Sequence, residues 1–178
     1  MKKTKTLEEI ANGELFEVAG IEFIKFADED GQTVAVAKES LFNSRFGNNN
    51  NFAESIIKSR LEEEILPKIA EEIGADNIVE HEVDLLSLDG DDKWGKVKCK
   101  ISIPTFDFYR HNVKIFDKHL LNYWWWLATP DTTYAHYNDN WIRCVAPRGF
   151  ICNGGYGHSG GVRPFLIFKS AIFVSCNR

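Results

Sequence analysis

The sequence predicts a mixed α+β fold, and three stretches carry that reading. Residues 16–37 alternate apolar and polar side chains around turn residues, as half-buried strands require. Residues 52–73 repeat apolar positions at about every fourth residue, which lays one hydrophobic stripe along a helix. The last stretch holds two short apolar runs, Phe165-Leu166-Ile167-Phe168 and Ala171-Ile172-Phe173-Val174, suited to a strand or strand pair.

In chain order, residues 1–12 read as a flexible N-terminus or a short helix. Phe16, Val18, Ile21, Phe23 and Phe26, with Gly20 between them, then Thr33-Val34-Ala35-Val36-Ala37 beyond the turn Asp28-Glu29-Asp30-Gly31, predict two or three strands. Asn48 to Asn51 is a polar loop, with Asn51 placed to cap a helix. Phe52, Ile56, Ile57, Leu61, Ile65, Leu66, Ile69 and Ile73 form the stripe. Pro67 lies inside it; lacking an N–H and clashing with the turn before it, it kinks the helix or starts a second one, and Gly74 ends it. Val79 to Leu88 and Gly95 to Ile103 read as strands separated by the turn-forming Asp89-Gly90-Asp91-Asp92. A short helix is expected from about Val113 to Tyr123. Residues 128–161, rich in Gly, Asn, Tyr, Thr and Asp, read mostly as loop.

With 178 residues and 44% hydrophobic content the chain can bury a real core, and one domain spanning 1–178 is the expectation. A net charge of −5 opposes duplex nucleic-acid binding, which needs a surplus of Lys and Arg on one face. The basic start Met1-Lys2-Lys3-Thr4-Lys5 leads into Thr6-Leu7-Glu8-Glu9-Ile10 rather than the apolar stretch of an export signal. No run approaches the roughly 20 apolar residues that cross a bilayer. The expectation is a soluble protein, cytoplasmic or virion-associated, that is not secreted by a signal peptide and has no membrane role. Cys99, Cys144, Cys152 and Cys176 are accordingly expected as free thiols.

Three segments together resemble a known family: Phe52-x-x-Ser55-x-Ile57-Lys58-x-Arg60-Leu61, then Val83-Asp84-Leu85-Leu86-Ser87-Leu88, and finally Trp125-Trp126-Leu127-Ala128-Thr129-Pro130 with Gly161-Val162-Arg163-Pro164. In order and spacing they resemble the DUF6273 family of Gram-positive bacteria and their phages. Its members read approximately W-x-x-S-x-I-R-x-W-L-N, F-L-L-S, W-W-L-R-[ST]-P-G and G-V-R-P. This chain departs from that pattern at Phe52, Lys58, Arg60, Glu62, Ala128 and Asp131. The resemblance implies a fold similar to the C-type-lectin-like and formylglycine-generating-enzyme group: a small twisted, mainly antiparallel sheet with one or two helices under long irregular loops. It implies no reaction.

On a strand, Trp124, Trp125 and Trp126 point to alternating faces, so at least one belongs to the core and at least one to loops or solvent. Arg163, between Gly161 and Pro164, holds its guanidinium near a rigid turn. There it binds a carboxylate or pins the long loop through its carbonyls.

Tyr134, His136, Tyr137, Asn138, Asn140, Trp141 and Arg143 form the densest mixture of aromatic and hydrogen-bonding groups in the chain. Asn153, Tyr156 and His158 add a second stretch expected beside the first. Together they are the expected recognition surface; the competing reading is that Tyr134, Tyr137 and Trp141 pack beneath the loop to order it. Asn138-Asp139-Asn140-Trp141 offers oxygen ligands for calcium, but with a single carboxylate. His136, Cys144, Cys152 and His158 are zinc-ligand types without the close pairs that hold zinc. The chain lacks a G-x-S-x-G elbow and a P-loop, and no cofactor is expected. The functional expectation is therefore a non-enzymatic module that recognises a protein or a glycan. The alternative is an intracellular phage protein that inhibits a host defence protein. An enzyme of the formylglycine-generating type, using Cys144 and Cys152, is the weaker alternative.

Overall fold

The computed structural model describes residues 3–134 and 140–176. It is a mixed α+β structure of mostly antiparallel, curled sheets and a few short helices.

The strands in chain order are β1 (Lys3–Thr6), β2 (Leu15–Val18), β3 (Ile21–Glu29), β4 (Gln32–Ala37), β5 (Phe42–Ser44), β6 (Ile78–Val79), β7 (His81–Asp84), β8 (Lys96–Cys99), β9 (Trp125–Pro130), β10 (Trp141–Val145), β11 (Ile151–Gly155), β12 (Gly160–Val162), β13 (Phe165–Lys169) and β14 (Phe173–Cys176). One sheet runs β1-β14-β2-β3-β4-β13-β6, a second runs β11-β10-β9-β12-β5, and β7 pairs with β8. The β9–β12 pairing is parallel and every other named strand pairing is antiparallel.

The N-terminal strands form where the alternation places them. At the N-terminus the described residues add a strand to the helical turn: β1 pairs with β14 from Lys3↔Cys176 to Thr6↔Phe173, and a 3-10 turn at Leu7–Glu9 follows. The strand is all Lys and Thr, so pairing and not its own pattern makes it. That turn is fixed from below, because the buried Lys25 ammonium donates to the Leu7 carbonyl at 2.6 Å and to Asp28 at 2.7 Å.

The long stripe folds as α1 (Ile56–Arg60), a π-helical turn at Leu61–Ile65, and α2 (Leu66–Ile73). The Leu66 N–H reaches five residues back to the Leu61 carbonyl, and Pro67 then falls in the first turn of α2, where its missing N–H costs nothing. Gly74 ends the helix at φ 85°. Asn51 caps a 3-10 turn at Phe52–Glu54, while Ser55 caps α1 by accepting from the Lys58 N–H. The helical region expected from Val113 begins earlier, as α3 (Phe106–His111) and α4 (Val113–Phe116), and closes in a 3-10 turn at Asp117–His119.

The five-stranded sheet has a core on each face. Trp126, Ala128, Ile142 and Cys144 pack with Phe16, Phe23 and Phe168 and with the α1–α2 stripe. Trp125, Leu127 and Val145 pack with Ile24, Phe26 and Val36 and with Tyr109 and Phe116 of α3–α4. This corrects the expectation that 128–161 is mostly loop, since parts of four strands run through it.

Candidate functional site

Strand β9 organises the site because its residues alternate between two buried environments. Trp126 lies edge-on to Phe46 at 5.4 Å and donates its indole N–H to the Ser44 carbonyl at 2.9 Å. Trp125, on the other face, meets Tyr109 at 5.8 Å and Phe116 at 5.6 Å. Trp124 shares the face of Trp126, edge-on at 4.7 Å, but is only half-buried and continues into exposed Tyr123. These rings demand glycine beside them. A Cβ on Gly154 would stand 3.0 Å from the Trp126 ring, and one on Gly160 would collide with the Trp124 ring.

Arg163 is fully buried, but it does not pin the 128–161 segment. Its Nε donates to the Ala37 carbonyl of β4 at 2.9 Å, and its guanidinium stacks 4.7 Å from Trp125 and 5.3 Å from Phe116. Burial pushes its pKa down to about 10. Pro164 completes the junction by accepting the Ala37 N–H at 2.8 Å.

Beside Trp124 lies an open concavity of about 560 Å³ whose lining includes Tyr123, Trp124, Cys144, Cys152, Asn153 and His158. The Tyr123 hydroxyl donates to the Ser159 carbonyl at 3.1 Å across its edge. The expectation of four free thiols is corrected here: Cys144 and Cys152 form a disulfide. The register of β10 on β11 sets them directly opposite, with Cα atoms 5.0 Å apart, within the span a bridge needs. Cys99 is a free, buried thiol that burial pushes up to about 11, and Cys176 is buried as well.

A second concavity, of about 520 Å³, is lined by Leu88, Asp89, Asp131, Thr132, Trp141 and Arg143. Arg143 pairs with Asp131 at 2.5 Å, and Asn153 donates to the other Asp131 oxygen at 3.3 Å. Trp141, which lines it, is 39% exposed and Tyr134, two residues on from Thr132, is 48% exposed, so neither is swallowed by the core. Arg143 faces Asn153 across the hairpin, one pair along from Cys144 and Cys152. Adjacent pairs project to opposite faces, so the two expected stretches frame two concavities on opposite sides of the β10–β11 hairpin.

Asn140 is half-buried and its carbonyl accepts the Tyr156 N–H at 2.9 Å; Tyr156 is itself half-buried against the core, while Asn153 and His158 are exposed. His136, Tyr137 and Asn138 lie outside the described residues, as do Ala135 and Asp139. The calcium and zinc candidates therefore lie partly there. Among the described residues no three His, Cys, Asp or Glu side chains gather as a metal site, and no helix is long and apolar enough to cross a membrane.

Two positioning residues escape a sequence reading. Buried Asn50 donates to the carbonyls of Thr132 and Trp141, at 2.8 and 3.2 Å, and so holds both flanks of the aromatic segment; Trp94 donates to its side-chain oxygen at 2.9 Å. The only sequence signal was a short Asn run read as loop. No family model, curated protein or solved structure matches this chain.

Proposed function

We propose that this protein is a non-enzymatic binding module of phage or bacterial origin that recognises a protein or a glycan through the aromatic edges of the β9–β12 region. The observation that carries the reading is the concavity of about 560 Å³ with a half-buried Trp124 plate, flanked by exposed Tyr123 and His158. An aromatic plate with a polar rim gives a partner a flat apolar contact and a few orienting hydrogen bonds. Exposed Trp141 and Tyr134 extend the apolar surface on the far side of the hairpin. The resemblance to DUF6273, with its lectin-like arrangement of loops over a sheet, is part of this proposal, and so is the absence of a reaction.

A second reading is an inhibitor that binds a host defence protein inside the cell. The observation favouring it is the turn Asp89-Gly90-Asp91-Asp92 next to the Trp141 concavity, where Asp89 and Asp131 both line the opening. Acidic groups around an exposed Trp suit a basic protein partner.

Immobilised protein is challenged with a glycan array and, separately, with host lysate. The double variant Tyr123→Ala/His158→Ala is expected to lose capture at least about tenfold by glycan or protein, and Tyr134→Ala/Trp141→Ala to lose it where the far face takes part. If both folded variants capture the same partners as the parent, the reading is wrong. Tenfold is the scale of a single good contact.

A further inference from the structure

We infer that the Cys144–Cys152 bridge is an exchangeable disulfide, open to dithiol reductants through the Trp124 concavity. Both cysteines line that opening, and the bridge ties two strands whose connection is short. The two sulfurs are unequal. Cys144 is buried and its cross-strand neighbour on β9 is Trp126, whereas Cys152 is half-buried at the outer strand of the sheet. Attack therefore falls on Cys152.

The connection is short and is held to α3, where the Tyr109 hydroxyl donates to the Gly149 carbonyl at 2.9 Å. Pro147–Gly149 makes one 3-10 turn in which Arg148 takes φ 69°, a left-handed conformation unfavourable for a residue with a Cβ. Phe150 beyond it is 68% exposed. The way in for a thiol is the open concavity that both cysteines line, with Cys152 on its outer strand, so thiols reach the bridge without loss of either core.

The exchange balances as follows. One thiolate of the dithiol attacks Cys152 Sγ; the S–S bond breaks and Cys144 leaves as a thiolate, which takes a proton from water. The second thiol then attacks the mixed disulfide as its thiolate and releases Cys152 as a thiol. Two electrons pass from the dithiol, which ends as a disulfide, to the cysteine pair, which ends as two thiols. Reduced sulfurs cannot stay at bonding distance, so they separate next to the Trp126 ring and Gly154, and the floor of the concavity changes shape with redox state.

The test uses the full chain in native buffer, oxidised with glutathione disulfide, pulsed with dithiothreitol and quenched with N-ethylmaleimide before peptide mapping. Cys144 and Cys152 are expected to label together, at a rate within about tenfold of that in denaturant, while buried Cys99 stays unlabelled. In Cys144→Ser the remaining Cys152 should take a stable mixed disulfide with glutathione, and in Cys152→Ser the buried Cys144 should not. The inference is overturned if the pair labels only in step with Cys99, since the bridge then opens only by unfolding. It is equally overturned if glutathione disulfide forms no bridge in the folded chain. Neither outcome depends on whether the concavity binds a protein or a glycan.

Discussion

A guanidinium buried between two aromatic rings must find acceptors or do without them, and Arg163 does some of each. Nε has the Ala37 carbonyl, the plane has Trp125 and Phe116, and Nη2 has no hydrogen-bond partner among the described residues. Its charge is thus poorly compensated, and its volume is what the second core uses. Arg163→Met keeps most of that volume and removes the desolvated charge, so its urea midpoint should correspond to a change within about 1 kcal/mol; Arg163→Ala should lose about 3 kcal/mol by leaving a cavity. If the Met variant falls as far as Ala, the charge and not the volume is the structural contribution. Gly160 poses the opposite problem, excess volume. A Cβ there has no room because the Trp124 ring and the Trp126 indole nitrogen occupy its space, the nitrogen at 2.8 Å. Gly160→Ala is therefore expected to cost about 2 kcal/mol in thermal denaturation, with Trp124 displaced from the concavity wall.

At the scale of elements, the sequence is legible where one face is buried or a tight turn brackets the strand, and obscure where neither holds. Strand β2 and the stripe through α1 and α2 each turn mainly one side to a core, so their periods of two and about 3.6 survive in the residue order. Strands β3 and β4, with Phe23, Ala35 and Ala37 in one core and Ile24, Phe26 and Val36 in the other, are read instead from their apolar runs on either side of the turn Asp28 to Gly31. Pro67 marks the helical interruption but not its form. The π turn, ending two residues upstream, keeps both its end residues, Leu61 and Ile65, in the core. Strand β9 lies between two cores and is buried at every position, which erases alternation, while β10 and β11 turn Trp141, Arg143 and Asn153 outward. Gly154 and Gly160 read as loop residues for the same reason that they are needed: the tryptophans leave no space for anything larger. The Cys144–Cys152 pairing depends on a register that no spacing announces. Helix entry, by contrast, was partly visible. Ser55, which accepts from the Lys58 N–H at 3.0 Å and donates to the Phe52 carbonyl at 2.8 Å, lies one turn from Asn51. Removing its hydroxyl orphans the Lys58 N–H, while the Phe52 carbonyl keeps the Ser55 N–H at 3.1 Å, so Ser55→Ala should cost about 1 kcal/mol by urea unfolding.

On the scale of the whole molecule, the two ends of the chain and the middle of the large sheet are joined by one polar cluster. Lys25 donates to Leu7 next to β1 and to Asp28; Asp28 also accepts from Thr33 at 3.2 Å and from Ser170 at 2.9 Å, just after β13. Burial works against ionisation of Asp28, but the hydrogen bonds from Lys25 and Ser170 and the charge of Lys25 outweigh it and hold the carboxyl below its usual value. His81 responds to acid for a different reason. Burial lowers its pKa, and a hydrogen bond to the Val79 backbone and the charge of Glu80 offset this only in part, while its Nε2 lies 2.8 Å from the Ser102 hydroxyl. Both folded-state values lie below the unfolded ones, so in each case the unfolded chain binds the proton first. Stability attached to His81 is complete above about pH 6.5 and is lost as pH falls below it; that attached to Asp28 holds above about pH 4 and is lost as pH falls through its lowered folded value. The pH profile of the urea midpoint should therefore decline in two stages. His81→Gln should remove much of the upper stage. Asp28→Asn should lower the midpoint at neutral pH by about 2 kcal/mol, since it weakens the pairing of a buried ammonium, and should flatten the lower stage. A variant pair that leaves both stages unchanged would mean that other carboxylates govern acid unfolding and that the Lys25–Asp28 cluster does not tie the sheet together.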